Sequence, residues 1–237
     1  MNFGEHVIFR QLFDQESYTY TYLIADAQTR EAVLIDPVIE QTAQYQKLLK
    51  ELNLKLVIAM DTHTHADHIT ALGRLRDELG CTTRIGQESQ SECVSKTFSD
   101  GDNIQVGRLS FVALHTPGHT DDSYSFALKV NGQNALFTGD TLLIRGTGRT
   151  DFQQGDALSQ YDSLFNILLK YPENTWVYPG HDYRGWTVST VGEERHNNPR
   201  LQIRNAEEYA DIMNTLNLPN PKLMDLAIPA NQACGKE

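Results

Sequence analysis

The 237-residue chain is short of cysteine and of positive charge. Its three cysteines, Cys81, Cys93 and Cys234, are odd in number, scattered and never spaced as CxxC. Neither a disulfide framework nor a thiolate metal site is therefore expected. Lysine and arginine total 20 against 31 aspartates and glutamates, a formal net charge of −11, which argues against a nucleic-acid partner. No apolar run approaches the roughly 20 residues of a membrane-spanning helix, so no membrane partner is expected. The opening MNFGEHVIFRQLF lacks the basic, apolar, small order of a signal peptide. A cytoplasmic home is the simplest reading, and a mature mitochondrial form is compatible with it. No repeat, low-complexity tract or Pro/Gly/Ser-rich linker divides the chain, so residues 1–237 are expected to form a single domain.

The apolar pattern is mixed. Residues 17–25 (ESYTYTYLI), 32–36 (AVLID) and the run LKLVIAM read as strands, the last as a buried one. Tyr45, Leu48, Leu49 and Leu52 repeat at helical spacing, as do Ile69, Leu72, Leu75 and Leu79. Strands are expected over 103–115, 123–130 and 134–138, with Asn131-Gly132 as a hairpin turn, and over 175–179. Helices are expected after Asp156 and, as the last element, around Tyr209, Ile212, Met213 and Leu216. The expectation is an α/β protein with two mixed β-sheets flanked by helices.

The chemistry concentrates at strand ends. DTHTHADH, residues 61–68, closes the LKLVIAM strand. HTPGHT brings His119, LFTGDT brings Asp140 and VYPGHD brings His181, each after an expected strand. A lone His119 or His181 reads best as a hydrogen-bonded loop histidine, and a lone Asp140 as a turn residue. The cluster His63, His65, Asp67 and His68 differs: imidazoles and a carboxylate that close together are costly to desolvate unless a cation compensates them. Taken jointly, the pattern points to metal.

HTHADH, PGHT, TGD and PGHD, in that order, resemble the metallo-β-lactamase superfamily. That resemblance implies the αβ/βα sandwich with the site at one sheet edge. It also implies two metal positions, His63, His65, His119 and Asp140 for one, Asp67, His68, Asp140 and His181 for the other. HTHADHITALG, TGDTLLIRGTGRTDFQQGDALSQYDSLF, YPGHDYRGWTVSTVGEER, NPRL and NLPNPKLMDLAIPAN are more closely similar to the persulfide dioxygenases of that superfamily. This implies oxidation of glutathione persulfide by O2 and water to sulfite and glutathione, in sulfide detoxification, with one non-haem Fe(II) per chain. The family's iron ligands fall on His63, His119 and Asp140. His65, Asp67, His68 and His181 match retained superfamily positions, as pocket groups or a vestigial second site.

Glutathione carries two carboxylates, and arginine grips carboxylates bidentately. Arg145, Arg149, Tyr183 and Arg195 are the expected substrate contacts, with Arg184 beside them. Arg149 and Arg195 read equally well as partners of structural acids such as Asp151 or Glu193. Asp182 reads as an internal hydrogen-bond acceptor. The enzyme alternative is a dinuclear zinc hydroxyacylglutathione hydrolase of the glyoxalase II type; a non-catalytic persulfide or metal sensor is the alternative of another class. No fused rhodanese domain is expected within the chain, and an apolar or aromatic patch near the start suits a homodimer.

Overall fold

The computed structural model describes residues 3–219 and 223–235. Residues 220–222 of the NLPNPKLMDLAIPAN stretch, and the first two of the opening segment, lie outside the described residues.

The first half of the chain builds β1 (Val7–Phe13), β2 (Tyr20–Asp26), β3 (Glu31–Ile35), α1 (Thr42–Glu51), β4 (Lys55–Met60), α2 (Leu72–Leu79), β5 (Thr82–Gly86) and β6 (Lys96–Phe98). These six strands form one sheet in sequence order, antiparallel from β1 to β3 and parallel from β3 to β6. The second sheet takes β7 (Asn103–Val106), β8 (Leu109–His115), β9 (Tyr124–Val130), β10 (Gln133–Phe137), β11 (Trp176–Tyr178) and β12 (Ser189–Thr190). In it only β10 and β11 run parallel. α3 (Ala157–Asp162) leads into a π-type and then a 3₁₀ turn ending at Lys170; α4 (Val191–Asn197), α5 (Ala206–Asn214) and α6 (Met224–Gln232) follow.

Strand period explains the layers. Side chains alternate between the two faces of a strand. Tyr22, Ile24, Val33 and Ile35 point between the sheets, where they meet Phe111, Phe126, Leu128 and Phe137. Their neighbours Leu23, Ala25, Ala32 and Leu34 point outward against Tyr45 and Leu49 of α1 and Leu72 and Leu75 of α2. Likewise Ala127, Leu136 and Val177 face out against Leu164, Leu168, Tyr209 and Met213. Both faces of the central strands are therefore covered, which is why those strands read as unbroken apolar runs. The result is the expected αβ/βα sandwich.

Three expectations need correction, and β5 and β6 were not anticipated. The strand expected over 103–115 is a hairpin, β7 and β8, because Gly107-Arg108 turns the chain and Asp26 holds the turn through the Arg108 amide (2.8 Å) and guanidinium. β5 and β6 gave little signal, being short and only partly buried. The helix around Tyr209 is not last: α6 follows, its weak apolar pattern interrupted by Pro229. Finally, Cys93 and Cys234 are joined in a disulfide with Cα atoms 5.9 Å apart, although 141 positions separate them in sequence. Only the packing of α6 beside the 91–93 segment brings them together, so no local spacing announces the bond. Cys81 is free and buried.

Candidate metal centre

The site forms where both sheets end at one edge. The turn after β3 supplies Asp36, the loop after β4 the histidine cluster, the turn after β8 His119, the turn after β10 Asp140 and the turn after β11 His181. Backbone bonds join the two sheets there: Tyr124 N–H donates to Thr62 C=O (2.8 Å), and Tyr20 N–H to Gly180 C=O (2.7 Å). Two glycines make the close approaches. At Gly118 φ is +132°, and a Cβ would lie 2.3 Å from Gln160. At Gly139 φ is +48°, and a Cβ would lie 2.7 Å from Thr62 Oγ1. Both positions favour glycine, and they present His119 and Asp140.

His63, His119 and Asp140 each offer one ligand atom, all within 4.8 Å of one another. In each, the other polar atom is already held. Thr62 Oγ1 lies 3.0 Å from His63 Nδ1. His119 Nδ1 donates to the Arg149 carbonyl (2.7 Å), leaving Nε2 facing Asp140 Oδ2 at 3.6 Å. Asp140 Oδ1 accepts from His181 Nδ1 (2.6 Å), leaving Oδ2 toward the imidazoles. Such outer hydrogen bonds fix tautomer and ring orientation in metal sites. Burial holds His63 well below the usual histidine range, so its lone pair is available. Burial alone would push Asp140 up, but His181, His119 and His63 hold it well below the carboxylate range. Two imidazoles and one carboxylate grouped this way fit a divalent ion with coordination positions left open.

The retained positions behave differently. His65 Nε2 lies 3.2 Å from Asp36 Oδ1; burial opposes its charge, yet the Asp36 carboxylate raises it to about 9. His181 contacts carboxylates at both nitrogens, Asp140 at 2.6 Å and Asp67 at 2.8 Å, and despite burial these raise it well above its usual value. Both ring nitrogens of His181 are therefore engaged by carboxylates in this arrangement. His65, Asp67 and His68 form a second grouping of ligand atoms, and His65 Nδ1 and His68 Nε2 are buried without hydrogen-bond partners among the described residues.

The expected arginines meet other partners. Arg145 donates to buried Glu194, to Ser189 and to Glu193, and its guanidinium lies over Trp186 at 5.1 Å. Arg149 grips Asp151 bidentately (2.6 and 2.7 Å), bonds Pro219 C=O and lies 4.1 Å over Phe152. Arg195 bonds Leu169 C=O and faces Glu173. Arg149 thus follows the structural-acid reading with Asp151; Arg195 faces Glu173 rather than Glu193, and Arg145, expected at the substrate, is committed to Glu194. Tyr183 is different: 66% exposed, its ring lies parallel to that of His181 with centroids 6.3 Å apart. Arg184 sits in the same exposed 183–187 loop and forms no ion pair among the described residues. Asp182 accepts from the Arg184 and Trp186 amides (both 2.7 Å), the internal role expected of it. Sequence reasoning missed Asp36, Thr62, Thr19 and the Arg149 carbonyl. Asp36, directly after an apolar strand, was the only one with a visible signal.

The family model described as the metallo-beta-lactamase superfamily matches residues 15–93 and 94–189. The persulfide dioxygenase ETHE1, mitochondrial, of Mus musculus is 49% identical over 98% of this chain and 90% of its own length. The crystal structure of ETHE1 from Myxococcus xanthus superposes with TM-score 0.93 at 53% identity, over 97% of this chain and all of that one. A probable hydroxyacylglutathione hydrolase of Schizosaccharomyces pombe is 31% identical over 87% of this chain and 90% of its own.

Proposed function

From a chain that belongs to the metallo-β-lactamase superfamily, and within it to the persulfide dioxygenases, we propose an oxidoreductase that converts glutathione persulfide, O2 and water to glutathione and sulfite. His63, His119 and Asp140 would hold a single Fe(II). The observation that carries this reading is their arrangement: three donor atoms converge while the remaining polar atom of each is tied elsewhere. Bound iron would supply electron transfer to O2, which d10 zinc cannot.

The chain's own groups do the rest. The Arg149 carbonyl and Thr62 hydroxyl keep the imidazoles from turning. His181 holds Asp140 through a charge-assisted bond and is itself held by Asp67 and Thr19. Burial of His63, His65, His68 and His181 keeps bulk water off the reacting edge. Tyr183 and Arg184 form the exposed side, where a guanidinium with no ion pair among the described residues suits a glutathione carboxylate and the aromatic ring its apolar parts. Arg184→Ala is expected to raise KM several-fold with little change in kcat, read from initial O2-uptake rates.

Metal content and oxygen uptake on one anaerobically iron-loaded preparation test the reading. One iron per chain with sulfite formed from glutathione persulfide is expected. Two zinc ions, thioester cleavage and no oxygen uptake would overturn it in favour of the hydrolase. That second reading has one observation behind it, the orphaned His65 Nδ1 and His68 Nε2 beside Asp67.

A further inference from the structure

One side chain of α6 ties three backbone groups of the histidine loop. Asn231 Oδ1 accepts from Thr70 N–H (2.8 Å), and Asn231 Nδ2 donates to the carbonyls of His65 (2.9 Å) and His68 (2.8 Å). Only this orientation of the amide satisfies one donor and two acceptors. The side chain is buried, so each broken bond would strand a polar group.

The loop so held leads to the metal ligands. It begins at His63. Asp67 Oδ2 contacts His68 Nδ1 (3.0 Å) and His181 Nε2 (2.8 Å), and His181 Nδ1 donates to Asp140 (2.6 Å). Asn231 therefore stands at the end of a continuous chain of bonds reaching two of the three ligands.

α6 is poorly equipped to stay in place unaided. It has nine residues and contains Pro229, and short helices are marginal without tertiary ties. Those ties cluster at its end. Ser91 Oγ donates to Asn231 C=O (3.0 Å), Gly73 N–H donates to Cys234 C=O (3.0 Å), and Cys234 is bonded to Cys93. Gly235 lies so near the Thr70 carbonyl that a Cβ would sit 2.1 Å from it.

We propose that Asn231 is a positioning residue for the metal loop, held in place by the Cys93–Cys234 disulfide, which makes the grip on the metal sensitive to thiols. The proposal rests on the ligand set assigned above. A small-molecule thiolate attacks one sulfur of the bond, forming a mixed disulfide and releasing one cysteine thiolate. A second thiolate then displaces the other cysteine, giving the oxidised thiol dimer and two protein thiols. The thiol released by the proposed reaction belongs to this reductant class. With the staple open, α6 detaches by local unfolding, the three Asn231 bonds open and the loop loosens.

The test follows Fe(II) release from the loaded full chain into a chelator, with and without a phosphine reductant, alongside hydrogen exchange at the Thr70 amide. Reductant is expected to speed iron release from the unaltered protein about ten-fold, the scale of lost outer-shell support, and to speed Thr70 exchange. Cys234→Ser should show both changes without reductant and no further response to it. Asn231→Ala should release iron equally fast and be nearly blind to reductant. Asn231→Asp keeps the acceptor but loses both donors, so Thr70 stays protected while iron release rises. Iron release that ignores reductant in the unaltered protein, or a full reductant response surviving in Asn231→Ala, would overturn the proposal. The same measurements after zinc loading separate the two readings: a zinc thioesterase showing these responses sinks the dioxygenase and keeps the clamp.

Discussion

Asp140 has two jobs on two oxygens. Oδ1 accepts from His181 and Oδ2 faces His119, so in the proposed site removing the carboxylate would delete a ligand and leave buried His181 short of one partner. Asp140→Ala is expected to abolish both iron binding and oxygen uptake, as metal analysis and an oxygen electrode would read. His68→Ala should keep its iron, because His68 touches Asp67 and Thr19 and lies outside the converging triad; loss of all metal in that variant would point to a two-metal centre. A second acid has a purely structural task. Hydrogen bonds from Arg108 hold buried Asp26 far below the usual carboxylate range. A depressed folded-state pKa stabilises above the unfolded value of about 3.9 and fades as pH falls toward the folded value. Asp26's contribution, read as the difference in urea midpoint between the unaltered protein and Asp26→Asn, should therefore be steady from neutral pH down to about 5 and shrink below about 4. Asp26→Asn should have a lower midpoint at neutral pH and a shallower acid decline.

At the scale of elements, the site depends on turns following strands. The turn between β8 and β9 carries His119, and it packs Gly118 directly on the Gln160 backbone of α3. Gly118→Ala would need both a disfavoured backbone angle and a displaced helix. A loss of about 1–3 kcal/mol is expected, with weaker iron binding because His119 moves; urea titration and metal analysis would read the two effects. The helical and strand periods of these elements were legible in the sequence because the apolar residues face fixed layers. β5, β6 and α6 were not, since each is short and owes its place to neighbours rather than to its own pattern.

Across the whole molecule, the layer between the sheets keeps the two halves of the ligand set in register. His63 comes from the first sheet, His119 and Asp140 from the second. Phe126 is buried in that layer, edge-on to Phe98 with centroids 5.3 Å apart. Phe126→Ala is expected to cost about 3–5 kcal/mol, seen as a lower melting temperature, and to reduce iron occupancy at temperatures where the fold otherwise persists.

By itself the sequence determined the strand and helix periods, and its motifs marked the turns that carry the candidate ligands. Apolar runs of strand length ending in His or Asp can be buried only if their polar ends gather at an edge, and that constraint is local. The tertiary structure alone decided which atoms are free. It turned His65 and His181 toward carboxylates, gave Arg145 to Glu194, and brought Cys93 to Cys234. These are pairings between groups brought together by packing, often far apart in the chain, and in a low-dielectric interior each is settled by which partner stands within about 3 Å.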